Sequence, residues 1–176
     1  EHFEGSIANL VEASVAVELP CLRKDFIVSE YQVLEARAYS ADAVLLIVAA
    51  LSDKELRTLH EAAERYSLDV LCEVHDGEEL KRALDLGFQV IGVNNRNLRT
   101  LEVNLGTAEE LAHLLPPEVV KVAESGIHSG EDLRRLREAG YDAFLIGESL
   151  MKQERPGEAL KALMTEAGKA ASARPT

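Results

Sequence analysis

Leu19-Pro20-Cys21-Leu22-Arg23-Lys24-Asp25-Phe26 starts as a buried strand and ends in three ionisable side chains. A core strand has no use for a lysine, and a solvated loop has no use for the apolar lead-in. The stretch therefore reads as a strand whose C-terminal end leaves the core where a charge is wanted. Its meaning depends on what the other strands carry at the same level.

Moving outward, further Val-, Ile- and Leu-rich runs read as strands at 43–49, 69–75, 89–94, 119–125 and 143–147, beside 19–26. They are near-continuous apolar runs, as expected of parallel strands covered on both faces. Helical patterns alternate with them. Ser6, Ser29 and Ser129 lead helices, and Ser52 with Glu55, Asp76 with Glu79 and Thr107 with Glu110 are spaced as capping boxes. Gly87 and Gly140 read as helix stops, Pro116-Pro117 ends another helix, and Pro156 suits a first helical turn.

One leading helix and six strand–helix units follow from this. No GxGxxG follows any strand, which removes the best sign of an open dinucleotide-binding sheet. The alternative is an α/β TIM (β/α)8 barrel. Such barrels run to about 250 residues with eight units, and this chain has 176 residues. Length and unit count fall short together, so the expectation is a barrel lacking its first two strands. The barrel domain is expected over 1–167, with 168–176 as a small polar tail that frays.

Composition limits the function classes. Hydrophobic residues make up 47% and charged residues 28%, enough for a core. The net charge of −12 argues against a nucleic-acid surface, which needs a basic stripe. It leaves room for an anionic small ligand held by backbone N–H groups and one or two lysines. No apolar run has membrane-spanning length and no signal peptide is visible. Cys21 and Cys72 fall two strand spacings apart, about 10 Å, too far for a disulfide. Two buried free thiols without a CxxC pair suit a reducing cytoplasm.

Alternation along each strand sorts the polar residues. If Lys24 faces the interior, Leu22 and Phe26 share its face. Glu73 goes with Leu71 and His75, Asn94 with Gly92, Glu124 with Val122, and Gly147 with Leu145. Any one of these alone would be an ordinary rim residue. Lys24, Glu73, Asn94 and Glu124 on four strands, all at the C-terminal end, form a constellation where parallel barrels keep their chemistry. Ser125-Gly126 and Gly147-Glu148 end the last two strands and suggest a phosphate site. Each glycine singly could serve only a tight turn.

Phe3 and Phe26 lie outside helix stripes and either cap the core or line an aromatic substrate. Arg96 could grip a carboxylate in fork geometry, or be a surface arginine. Glu73 and His75 make a weak metal pair with no third ligand at suitable spacing, and His2, His60 and His113 read as surface or helix residues, so no metal is expected. Lys24 with Glu73 suits paired general acid and base work. Lys24 could equally form a Schiff base with a carbonyl substrate.

Leu22-Arg23-Lys24-Asp25-Phe26-Ile27, Glu73-Val74-His75, Gly92-Val93-Asn94-Asn95-Arg96-Asn97-Leu98, Ala123-Glu124-Ser125-Gly126-Ile127 and Leu145-Ile146-Gly147-Glu148-Ser149-Leu150-Met151 together resemble the indole-3-glycerol-phosphate synthases. The resemblance runs from Phe3 to about Met164. It implies closure of 1-(2-carboxyphenylamino)-1-deoxyribulose 5-phosphate to indole-3-glycerol phosphate, with loss of carbon dioxide and water and no cofactor or metal. It implies a cytoplasmic enzyme of tryptophan synthesis with a phosphorylated small-molecule substrate.

By the same resemblance Lys24 is the general acid and Glu73 the base of the later dehydration. Glu124 and Asn94 orient the substrate. Phe3 and Phe26 wall the anthranilate ring, and Arg96 lies near its carboxylate. Ser125, Gly126, Gly147 and Glu148 hold the phosphate, where many relatives have a small hydroxyl residue in place of Glu148. A carboxylate repels a phosphate, so the Glu148 backbone N–H is expected to serve while its side chain turns away. The family's first strand carries a Glu-x-Lys pair, and no such strand precedes Lys24 here.

Two other readings stay open. One is a catalytically incomplete barrel fragment or assembly module that self-associates or takes an N-terminal segment through open strand edges. The other is a Schiff-base aldolase using Lys24.

Overall fold

A computed structural model describes residues 5–169. Among them, helices and parallel strands alternate. Helix α1 (Ile7–Ala16) precedes β1 (Leu22–Arg23), α2 (Glu30–Ala38), β2 (Ala43–Ile47), α3 (Asp53–Arg65), β3 (Asp69–Val74) and α4 (Gly77–Asp85). Then come β4 (Val90–Asn94), α5 (Gly106–Ala112), β5 (Val120–Glu124), α6 (Gly130–Glu138), β6 (Ala143–Leu145), α7 (Glu148–Met151) and α8 (Pro156–Lys169). These six strand–helix units are those of a TIM barrel without its first two, the fold class read from the sequence. Phe3 and His2 lie outside the described residues; of the tail expected at 168–176, Gly168 and Lys169 instead end α8, and the rest lies outside the described residues.

The chain divides into two compact units, one up to Glu73 with Lys81–Phe88, the other Val74–Leu80 with everything from Gln89. In the first, β1, β2 and β3 pair in parallel, with Leu22 opposite Ala43 and Ile47 opposite Glu73. In the second, β4, β5 and β6 do the same, with Asn94 opposite Glu124 and Glu124 opposite Leu145. Val70 through Val74 are all buried, so both faces of β3 are covered, as the unbroken apolar run required.

Strands are shorter than the apolar runs. Only Leu22–Arg23 of 19–26 is strand, and Cys21 stands just ahead of it, half-buried rather than fully buried. Lys24 and Phe26 therefore sit in the loop that follows. The run at 43–49 ends at Ile47 because Val48–Ala50 forms a single 3-10 turn. Cys21 and Cys72 form no disulfide.

Four helices end in the same way. Ser40, Ser67, Gly87 and Gly140 have positive φ (66°, 54°, 82° and 106°). Their N–H groups bond to Arg37, Glu64, Leu84 and Arg137. The next residues, Ala41, Leu68, Phe88 and Tyr141, donate to Ala36, Ala63, Ala83 and Leu136 and are buried. This paired pattern is the Schellman motif, with its apolar residue tucked under the last turn. It turns each helix directly into the next strand. The glycine stops were legible in the sequence. The serines were not, because serine rarely takes this conformation.

Helix starts differ in detail. Ser52 with Glu55 forms the expected capping box, and Ser129 forms one with Asp132. Asp76 accepts from the Glu79 N–H at 2.9 Å, but the Glu79 carboxylate turns to the His75 N–H at 2.8 Å instead of closing a box. Thr107 does not cap α5. The helix begins one residue before it, with Asn104 accepting from the Gly106 N–H at 2.9 Å and Asn95 from the Ala108 N–H at 3.0 Å.

Candidate active site

Lys24 leaves β1 by one residue, and its ammonium reaches the end of β3. Its Nζ stands 3.3 Å from Glu73 Oε2. The Glu73 side chain is 1% exposed and that of Lys24 47%. The ammonium thus touches a buried carboxylate while about half of its side chain stays open to solvent. The loop carrying it is stitched from α2. Gln32 donates to the Phe26 carbonyl at 2.9 Å and accepts from the Val28 N–H at 2.8 Å. Arg23 is held by the Gln32 carbonyl at 3.0 Å and by Glu35 at 2.8 Å. Phe26 is half exposed, with ring surface to offer a ligand.

The 3-10 turn after β2 has its own brace. Arg82 on α4 donates to the carbonyls of Val48 at 3.1 Å and Leu51 at 2.7 Å, and to Asp53 at 2.7 Å. In the same unit, His60 of α3 stacks on Phe88, with ring centroids 4.5 Å apart. His60 is thus a packing residue. His75 is held by Glu79 through its ring at 3.0 Å.

In the second unit, Asn94 and Glu124 are register partners at the ends of β4 and β5, and both are buried. Asn94 Oδ1 accepts from the Arg96 N–H at 3.0 Å, starting the turn out of the strand. The chain then folds back, with Arg96 bridged to Val103 and Asn97 capping the Arg99 and Thr100 N–H groups. Val103 lies against Gly126, where a Cβ would come within 2.5 Å of its Cγ1. Gly126 also has φ +78°, so the tight-turn reading suffices for this glycine. Gly147 differs. Its φ is −119° and nothing lies within 4 Å of where a Cβ would stand. Neither packing nor backbone conformation asks for glycine there, which leaves open surface for a ligand.

Glu148 begins α7, a short helix the sequence reading missed. Its carboxylate pairs with the Arg96 guanidinium and lies 2.6 Å from Lys152 Nζ. Hydrogen bonding and charge from Lys152, then the charge of Arg96, hold the Glu148 carboxyl below its usual range. Arg96 is one-third exposed and engaged rather than a loose surface arginine.

The structure thus joins Lys24 to Glu73, Asn94 to Glu124, and Arg96 to Glu148. Ser125 sits between Glu124 and Gly126 with φ +64°. Among the described residues no three His, Cys, Asp or Glu side chains are grouped to hold a metal ion. No helix among them is long and apolar enough to cross a membrane. Sequence reasoning passed over Asn95, which is 2% exposed. Alternation sends it to the face opposite Asn94, and a second asparagine beside a strand end carried no separate signal.

Comparison with known proteins agrees with the residue pattern. The family model described as indole-3-glycerol phosphate synthase matches residues 1–163. A curated protein of that name from Koribacter versatilis is 60% identical over 163 residues, 93% of this chain and 63% of its own length. One from Azospirillum brasilense is 50% identical, over 93% and 62%. The chain thus spans about three-fifths of the length of these relatives. Among solved structures, mandelate oxidase with benzoyl-formic acid superposes with a TM-score of 0.76 at 17% identity, covering 93% of this chain and 61% of that one. A structure titled native KDPGal gives 0.66 at 19% identity, over 97% and 78%. At such low identity these two share the fold alone.

Proposed function

This chain belongs to the indole-3-glycerol phosphate synthase family, and we propose that its strand ends serve that family's decarboxylating ring closure. The substrate is 1-(2-carboxyphenylamino)-1-deoxyribulose 5-phosphate and the product indole-3-glycerol phosphate. The Lys24–Glu73 contact at 3.3 Å supports this reading most directly. Lys24 gives its proton to the ketose oxygen as the new carbon–carbon bond forms, and carbon dioxide leaves from the ring carbon. Loss of carbon dioxide restores the benzene ring; Glu73 then removes a proton and passes it to the departing hydroxyl group, so that water leaves and the five-membered ring becomes aromatic. The Glu73 carboxylate holds the ammonium in place before the first step.

The remaining roles concern binding. Arg96 takes the substrate carboxylate, Phe26 and Phe3 border the aromatic ring, and Asn94 with Glu124 orient the ribulose hydroxyls. Ser125, Gly126 and Gly147 present N–H groups to the phosphate, with Glu148 contributing its own backbone N–H. Remote phosphate binding adds energy away from the reacting atoms. The reaction takes place in the cytoplasm and needs no cofactor.

The test is turnover of the carboxyphenylamino substrate, followed by indole fluorescence. The protein is this chain joined to the first two strand–helix units of the Koribacter versatilis relative. Product formation that disappears in Lys24→Ala supports the proposal. Absence of product from the parent would sink it. Borohydride treatment with substrate separates the aldolase reading, since a covalent adduct at Lys24 belongs to that reaction alone.

A further inference from the structure

Asn95 has no role in the reading above, yet it is among the most completely engaged side chains near the strand ends. It is 2% exposed. Its backbone N–H donates to the Glu124 carbonyl at 2.9 Å, and its Nδ2 donates to the same carbonyl at 3.0 Å. Nδ2 also reaches the Ser125 carbonyl at 3.2 Å. Its Oδ1 accepts from the Ala108 N–H at 3.0 Å, in the first turn of α5. The Ala108 N–H can only donate and the two carbonyls can only accept. The amide therefore has one orientation that satisfies all of them.

We infer that Asn95 is the positioning residue of the anion cradle at the end of β5, fixing the N–H groups of Ser125 and Gly126 by holding the carbonyls behind them. In a trans peptide the C=O and the following N–H point in opposite directions, and no cis peptide occurs among the described residues. With the Glu124 oxygen on Asn95, the Ser125 N–H points away from it. With the Ser125 oxygen also on Asn95, the Gly126 N–H points away too. Two successive N–H groups on one side make a concavity of the kind that holds phosphate oxygens. Ser125 takes φ +64°, a conformation serine does not choose alone. The Asn95 bonds on both of its flanking peptides hold it there.

The inference deepens the proposed function and rests on the assignment of Ser125 and Gly126 to phosphate. Asn95→Asp tests it, because the side chain keeps its shape and its acceptor for Ala108 while losing both donors. In the same extended protein, affinity for inorganic phosphate should fall about tenfold or more, the size expected for lost hydrogen bonds that preorganise a site. The KM for the phosphorylated substrate should rise in proportion while kcat holds. A fall in kcat at unchanged KM, or unchanged phosphate affinity, overturns the assignment.

Should the variant not fold, titrating the parent protein with inorganic phosphate gives a second measurement. The Ser125 and Gly126 amide resonances should move while the Asn95 side-chain amide stays protected from exchange. Movement of neither backbone amide overturns the proposal. A parent that binds phosphate in this way but gives no turnover contradicts the synthase reading, and Asn95→Asp then still decides the cradle.

Discussion

Lys24 Nζ and Glu73 Oε2 lie 3.3 Å apart across the ends of β1 and β3, one group half in solvent and the other buried. The two strands are not neighbours, since β2 runs between them. Lysine has the reach to cross that strand, and β2 ends in the small, apolar Val48-Ala49-Ala50 turn.

Removing either partner should cut turnover with little effect on folding. In the extended protein, Lys24→Ala and Glu73→Gln should each lower kcat by about 10²–10⁴-fold, the range for a positioned acid or base. Circular dichroism should show the parent's secondary structure. Rates near the parent's in both variants would remove these roles.

Glu148 competes with the substrate carboxylate for Arg96 under the proposed function. Exposed ion pairs are weak, so Glu148→Gln should lower KM by no more than about fivefold. The gain should fade in high salt, where the pair is screened. A rise in KM would show instead that the carboxylate positions Arg96 for binding.

The Schellman turns make opposite predictions for serine and glycine. Ser67→Gly removes a side chain from φ 54° and should stabilise by up to about 1 kcal/mol. Gly140→Ala places one at φ 106° and should destabilise by at least about 1 kcal/mol. Urea midpoints at constant slope measure both.

Gly130 begins α6 against α8. A Cβ there would come within 2.5 Å of the Glu166 Cβ and 2.8 Å of the Ala167 nitrogen. Backbone cannot swing aside as a side-chain tip can, so Gly130→Ala should destabilise by about 1–3 kcal/mol. Thermal unfolding checks this, and an unchanged Tm would show that α8 shifts freely.

Acid should loosen the start of α6. Burial pushes the Asp132 carboxyl up, but bonds from the His128 N–H and from the Ser129 hydroxyl and N–H outweigh it and hold the group below 3.8. A pKa lower in the folded than in the unfolded state stabilises above the unfolded value and is lost as pH falls through the folded one. Asp132→Ala should therefore cost about 1 kcal/mol at neutral pH and progressively less below about pH 4. Urea unfolding of both proteins across that range measures the difference, and a constant gap would exclude the linkage.

The amino-acid sequence alone settled the alternation of strand and helix, the fold class and the family. Those follow from apolar periodicity and from motifs local to each strand end, and local patterns survive without knowledge of packing. It also placed Lys24, Glu73, Asn94 and Glu124 at strand ends by alternation. It could not show that Lys24 stands in a loop just past β1, because where a strand stops depends on its neighbour's ladder. Nor could it show that Gly126 serves a turn against Val103 while Gly147 stands open, since both read alike as glycine after a strand. Asn95 was hidden for the same reason. Its partners at Ala108, Glu124 and Ser125 are 13 to 30 residues away, and only the tertiary structure brings them to one side chain.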